Sequence, residues 1–194
     1  MKVTPEQLNK LAKDFGFPLA HILAVVEVES KGNGFLPDGR PVILFERHKF
    51  HGFTKGFFSK DYPGISNKTM GGYATGRTQD IRLQNEWNRL SQAIELNREA
   101  ALMSCSWGMG QVMGYHYFDL GFRNVQDFVN AMFADEYSQL KAMFYFIKNS
   151  PTLTKAIIAG DWATFARGYN GKAYAINKYD VKLAAASKKF KQVA

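Results

Sequence analysis

Apolar residues recur at helical spacing over most of the chain, and this pattern constrains the fold more than any other feature. The predicted helices from residue 78 onward are 78–95, 97–104, 125–135, 136–149, 151–159, 161–169 and 175–190. Pro151 and the Gly160-Asp161 pair separate neighbouring helices, because proline fits the first turn of a helix and glycine its end. The later part of the chain is therefore predicted to be almost entirely helical.

Two more helices are predicted near the N-terminus. Thr4 followed by Pro5 is a helix start signal, since the hydroxyl can cap the first turn and proline fits the first helical position. Gly16 ends this helix, and a second one runs from Pro18 to about Ser30 before a glycine-rich break.

A small β-hairpin is predicted near residues 35–46. Its turn is Asp38-Gly39, which lies between Phe35-Leu36 and a β-prone run that begins at Val42. Residues 52–76 follow no sustained period and are predicted to form a long loop, a kind of segment that is often functional. No repeat or linker divides the chain, so we expect one mainly helical α+β domain over residues 1–194.

Composition places the chain in a broad class. Hydrophobic residues make up 46% and charged residues 22%, which excludes a disordered or fibrous protein. Cys105 is the single cysteine, so no internal disulfide can form. The first residues lack the apolar core of a signal peptide, and no apolar run is long enough to span a bilayer. We therefore expect a soluble product made in the cytosol.

The formal net charge of +8 predicts attraction to polyanions. Lysines are concentrated after residue 171, against the single acid Asp180, at Lys172, Lys178, Lys182, Lys188, Lys189 and Lys191. Two interpretations stay open for this segment: a solvated helix face, or a surface that docks onto anionic polymers.

A carboxylic acid lies on the apolar side of the second predicted helix. On a helical wheel, the side of this helix predicted to be buried carries Leu19, Ile22, Leu23, Val25 and Val26, which form an apolar stripe. Glu29 follows Ile22 by seven residues and Val25 by four, so it falls on that stripe. Burial should raise the pKa of such a carboxyl, and a carboxyl that keeps its proton can act as a general acid. The alternatives are an ion pair with an arginine or a cap for the chain after the helix.

A second carboxylate, Glu46, follows at the end of the predicted hairpin strand. The order of helix acid, glycine break, hairpin and second acid is that of lysozyme-type glycosidases. Their chemistry needs one protonated carboxyl and one ionised carboxylate on either side of a glycosidic bond. An ion pair of Glu46 with Arg40 or Arg47 is the alternative.

Four segments, in order, closely resemble the phage endolysins of the N-acetylmuramidase family: AVVEVESKGNGFLPDGRPVILFERHKF, SCSWGMGQVMGYHY, FARGYNG and YDVKLAAA. The resemblance covers about residues 5 to 190. It implies a lysozyme-like fold and hydrolysis of the β-1,4 bond between N-acetylmuramic acid and N-acetylglucosamine in peptidoglycan. It also implies that Glu29 is the catalytic acid and Glu46 the second carboxylate, and that Gln111, Tyr169 and Asn170 line the substrate cleft.

The aromatic residues Trp107 and Tyr115 are candidates for sugar contacts, with burial in the core as the alternative. No cofactor and no metal are expected. The expected partner is peptidoglycan, bound by a monomer, with no specific nucleic acid. The resemblance further implies that the protein waits in the host cytoplasm. A separate pore would then release it into the periplasm, where lysis of the host frees phage progeny.

Three rival functions remain open at this stage. A lytic transglycosylase would use Glu29 alone and form 1,6-anhydro products. A basic nucleic-acid-binding domain is compatible with the charge, although the chain shows no zinc-finger spacing, RNP-like strand or basic heptad. A metalloenzyme could use Glu46, His48 and His51, but their spacing matches no familiar metal site.

Overall fold

In a computed structural model, the described residues 3–29 and 33–192 form ten α-helices and one small sheet. The helices are α1 (Pro5–Phe15), α2 (Leu19–Glu29), α3 (Arg47–Phe53), α4 (Gln79–Leu96), α5 (Arg98–Met103), α6 (Val125–Ala134), α7 (Glu136–Lys148), α8 (Pro151–Ala159), α9 (Trp162–Asn170) and α10 (Tyr179–Lys191). Short 3₁₀ turns cover Gly114–His116 and Lys172–Ala175. The mainly helical α+β class predicted from the sequence is confirmed.

Local capping chemistry sets the ends of the first helix. The Thr4 side chain accepts a hydrogen bond from the Gln7 backbone N–H, and the Gln7 side-chain oxygen accepts one from the Thr4 backbone N–H. Gly16 ends α1 with a left-handed φ of 68°. The boundaries read from Thr4, Pro5 and Gly16 are therefore confirmed.

The sheet contains β1 (Ile43–Phe45), β2 (Cys105–Trp107) and β3 (Val112–Met113), antiparallel and in that order. The predicted turn at Asp38-Gly39 forms, but it closes only one bridge, between Phe35 and Pro41. Proline lacks the N–H that a longer ladder needs, so the first arm of the hairpin cannot extend. The strand at 43–45 instead pairs with β2.

Helix α2 buries a different set of residues from the predicted stripe. Ala20, His21 and Ala24 are buried together with Ile22 and Val25. The other stripe residues, Leu19, Leu23 and Val26, are only half-buried. This part of the prediction is wrong because α2 packs against α1 on one side and along α10 on another. A helix with several neighbours buries more than one face.

Two further elements differ from the prediction. Helix α3 precedes the segment predicted as a loop and overlaps its first two residues. The segment then continues without helix or strand to the beginning of α4. Helix α10 begins at Tyr179, four residues later than predicted, after a 3₁₀ turn and a left-handed Lys178 with φ of 52°. Within the part of the chain that the structure describes, no helix is both long and apolar enough to cross a bilayer.

Candidate active site

Glu29, the last residue of α2, is half-buried at the centre of an open cleft. It lines two cavities of about 380 and 370 Å³, and Met109 and Gln111 line both of them as well. One cavity extends toward Tyr169 and the other toward Phe35. We refer to the two cavities together as the Glu29 cleft, in which a long polymer can lie on both sides of the carboxyl group.

The final residue of α9 orients this carboxyl group. Asn170 Nδ2 donates a hydrogen bond to Glu29 Oε1 at 2.9 Å. Helix α9 ends at Asn170 because Gly171 follows with a φ of 78°, which takes the chain away from the helix axis. The side chain predicted to lie near Glu29 therefore contacts it directly.

Tyr169 fixes α9 to the opposite wall of the cleft. Its hydroxyl donates to the Gly110 carbonyl at 2.8 Å, and its ring stacks on Phe165 with centroids 5.6 Å apart. Burial, together with the nearby charge of Glu29, raises the pKa of Tyr169 well above its ordinary value. The phenol is therefore a neutral donor throughout the physiological pH range.

The wall opposite α9 is a tight turn at residues 108–111. Gly108 and Gln111 both have left-handed backbone, with φ of 66° and 47°. For a residue other than glycine this conformation costs about 1–2 kcal/mol. The Gln111 side chain offsets that cost, since it accepts from Ser106 Oγ at 2.9 Å and donates to the Gly108 carbonyl at 2.8 Å. Among the described residues, the Gln111 amide therefore stabilises this turn and makes no contact that orients Glu29.

A buried amide from α7 joins the two walls of the cleft, and the sequence analysis missed it. Gln139 is 1% exposed; it accepts from the Met109 N–H at 2.9 Å and donates to the Gly34 carbonyl at 3.2 Å. One turn earlier, Glu136 accepts from the Gly34 N–H at 3.1 Å. The available signal was a pair of polar residues three apart on the side of α7 that also carries the buried Leu140.

Glu46 lies at the junction of β1 and α3, in a different environment. Tyr73 donates its hydroxyl to the Glu46 carboxylate, at 3.0 and 3.2 Å from the two oxygens. His48 Nδ1 lies 3.1 Å from Oε2, as an electrostatic contact without hydrogen-bond alignment. The alternative ion pairs do not form: Arg40 pairs with Asp38, and Arg47 Nε donates to the Thr69 carbonyl.

The sheet relates Glu46 to the cleft. Val42, Leu44 and Glu46 alternate along one strand and so share one side of the sheet. Ser106 is opposite Leu44 in the register and bonds Gln111, so this side faces the cleft. Within the described residues, however, Glu46 is not part of the lining of either cavity of the Glu29 cleft. Glu46, which is predicted to act together with Glu29, therefore lies on the sheet beside the cleft, whereas Glu29 lies within the cleft.

The two predicted aromatic contacts have different outcomes. Trp107 is 1% exposed, and its ring packs against Trp87 while its Nε1 donates to the Leu102 carbonyl. The prediction that Trp107 contacts sugar is wrong, because a fully enclosed side chain offers no surface to a substrate. Tyr115 is half-buried and lines the Glu29 cleft, where Lys49 Nζ lies 5.1 Å from its ring centroid.

The residues considered for a metal site do not converge. His51 Nδ1 bonds Ser59 Oγ at 2.8 Å, while His48 lies against Glu46. Among residues 3–29 and 33–192, no three histidine, cysteine, aspartate or glutamate side chains are grouped as metal ligands.

A helical lysozyme-like fold whose cleft holds one oriented carboxyl group defines a glycoside hydrolase, and the chain belongs to the N-acetylmuramidase family, whose model matches residues 18–191. It is similar to the endolysin of Burkholderia AP3 phage in its crystal structure, with a TM-score of 0.90 and 40% sequence identity. That similarity covers 98% of this chain and 72% of the phage protein. Among curated proteins the comparison finds no match. The predicted family is confirmed, and the chain is a muramidase that hydrolyses peptidoglycan.

Proposed function

We propose that Glu29 is the general acid for cleavage of the β-1,4 bond between N-acetylmuramic acid and N-acetylglucosamine. Its proton passes to the glycosidic oxygen as the bond to the muramic acid C1 breaks, and water then adds to that carbon. The observation that carries the proposal is the place of Glu29 between the two cavities of the cleft, with Asn170 holding one carboxyl oxygen.

We assign Glu46 to the second step, in which it accepts a proton from the attacking water. Direct attack on the sugar requires carboxyl groups about 5 Å apart, whereas a water-mediated step allows roughly 6.5–9.5 Å. Among the described residues Glu46 contacts Tyr73 and His48 and lines neither cavity of the Glu29 cleft, and this position favours a role through water over direct attack.

A transglycosylase is the second candidate, because Glu46 contacts Tyr73 and His48 outside the cavities that Glu29 lines. In that reaction the muramic acid O6 replaces water, so each cut product lacks one water. Mass spectrometry of the soluble products separates the two reactions.

The primary test is Glu29→Gln, which preserves size and hydrogen bonding but removes the acid. We expect a loss of about 10²–10⁴-fold in the release of soluble fragments from purified peptidoglycan. Glu95→Gln, at an exposed carboxylate on α4, is the matched control and should retain parental activity. Circular dichroism checks folding, and substantial activity in a folded Glu29→Gln variant would overturn the assignment.

We also propose that the enzyme acts in host lysis, waiting in the cytoplasm until a separate pore admits it to the periplasm. The similarity to a phage endolysin supports this role. Expression in Gram-negative cells should cause rapid lysis only after the inner membrane is permeabilised. Lysis by the enzyme alone would contradict the need for a pore.

The lysines of α10 are proposed to draw the enzyme onto anionic envelope polymers. Lys182, Lys188 and Lys191 are exposed, and Lys189 pairs with Glu27 at 2.7 Å. Exposed charges are screened within about 10 Å at 0.1 M salt. Binding to whole cell walls should therefore weaken as sodium chloride rises from about 0.05 to 0.3 M, and salt-independent binding would exclude this attraction.

A further inference from the structure

A third cavity, of about 570 Å³, lies between the end of α2 and α10. We call it the α2–α10 cavity; its lining consists of Glu27, Val28, Asn177, Tyr179, Lys182, Ala185, Ala186 and Lys189. Tyr179 also lines the Glu29 cleft, and Glu27 and Val28 directly precede Glu29 on α2. The cavity is therefore a side branch of the cleft, beside the proposed point of cleavage.

Charge in this side branch is positive. Lys182 and Lys189 face one acid, Glu27, which already pairs with Lys189. Lys182 Nζ lies 5.6 Å from the centroid of the Tyr179 ring, a contact that leaves its ammonium group open to an anion. Ala185 and Ala186 contribute small apolar side chains to the wall.

A positive charge beside small apolar side chains suits the peptide stems of peptidoglycan better than its sugars. The muramic acid residues of peptidoglycan carry short peptide stems with aliphatic segments and free carboxylates, and these branch away from the glycan strand. A glycan in the Glu29 cleft would direct such a branch sideways. Small apolar walls fit its aliphatic atoms, and an ammonium group pairs with a carboxylate.

We propose that the α2–α10 cavity binds the acidic peptide stem of the substrate, and that Lys182 pairs with a stem carboxylate. The proposal rests on the assignment of the Glu29 cleft as the glycan site. It makes the enzyme selective for peptide-bearing strands, through one local contact rather than through the overall charge of α10.

The test compares intact peptidoglycan with the same material after an amidase has removed its stems. Lys182→Gln should lower kcat/KM on intact peptidoglycan about fivefold and lower cleavage of the stem-free glycan clearly less. Lys188→Gln removes the same charge from the same helix outside the cavity, and its effect should be clearly smaller. Lys155→Gln, exposed on α8, should match the parent on both substrates.

Either of two kinetic outcomes would overturn the proposal. Equal losses on both substrates would show that Lys182 serves the glycan or the fold, and equal losses in Lys182→Gln and Lys188→Gln would show diffuse attraction. Binding of an isolated stem tetrapeptide to Glu29→Gln protein, measured by NMR titration, is independent of catalysis. Adding Lys182→Gln should weaken that binding at least fivefold. Unchanged binding refutes the stem site, whereas retained activity of Glu29→Gln refutes only the proposed acid.

Discussion

Glu29 and Glu46 are the same residue type in two different surroundings. Glu29 ends helix α2, lies in the open cleft and accepts a hydrogen bond from the Asn170 amide. Glu46 precedes a short helix, contacts a phenol and an imidazole, and lies outside the two cavities. The difference indicates that a position in the open cleft, rather than the carboxylate itself, distinguishes Glu29, the proposed acid, from Glu46.

Each carboxylate also has a tyrosine nearby, and the two tyrosines differ in exposure and in hydrogen bonding: Tyr73 is exposed and Tyr169 is half-buried. Partial desolvation of the Tyr73 hydroxyl, with the charge of Glu46, raises the pKa of Tyr73, and the hydroxyl donates directly to that carboxylate. Tyr169 senses the charge of Glu29 but donates to the Gly110 carbonyl instead. Tyr73 therefore contacts the Glu46 carboxylate directly, whereas Tyr169 stabilises the cleft wall next to Glu29.

The largest effect on this comparison is expected from Glu46→Gln. If Glu46 activates water, hydrolysis should fall about a hundredfold, because the amide cannot accept the proton. The measurement is the rate of soluble fragment release, with product masses recorded. Near-parental activity together with 1,6-anhydro products would instead establish the transglycosylase and remove Glu46 from the chemistry.

A smaller loss is expected from Asn170→Ala, which removes the donor to Glu29. The carboxyl group would then sample orientations that do not reach the glycosidic oxygen, so kcat should fall about tenfold with little change in KM. Asn88→Ala, at an exposed site on α4, serves as the control. A change in KM alone would show that Asn170 binds substrate rather than orienting the acid.

The smallest effects are expected from Tyr169→Phe and Tyr73→Phe, which each delete one hydroxyl. Tyr169→Phe leaves the Gly110 carbonyl without its donor and should lower the free energy of unfolding by about 1–2 kcal/mol. Urea denaturation measures that change, and activity assays accompany it. Tyr73→Phe should lower activity only if Glu46 takes part in catalysis. A loss of activity in Tyr73→Phe while Glu46→Gln stays active would contradict this expectation.

Local signals predicted much of the fold. Thr4, Pro5 and Gly16 set α1 through contacts within a few residues, and Pro151 set the start of α8 in the same way. The partner of β1 could not be predicted, because Leu44 pairs with Ser106 across a large separation in sequence. The wheel for α2 failed for a related reason, since periodicity does not reveal how many neighbours surround a helix.

The candidate site followed a similar division. Glu29 was identified from the helical wheel and the family resemblance, and Asn170 from the resemblance alone. Their direct bond is a matter of geometry that only the structure shows. The burial of Trp107 could not be predicted, because the sequence around an aromatic residue in a glycine-rich segment is the same whether its ring faces a ligand or the core. Gln139 escaped notice because its partners are backbone atoms of Met109 and Gly34, which no side-chain pattern records.

The Gln139 contacts restrict how this enzyme can be recombined with its relatives. A methyl group on Gly34 or Gly108 would collide with the Gln139 side chain, so neither glycine can be replaced while that amide stays in place. These three positions come from distant parts of the chain but are sterically coupled. Chimeras that exchange α7 without the segments around Gly34 and Gly108 should therefore have a distorted Glu29 cleft, while the rest of the fold is retained.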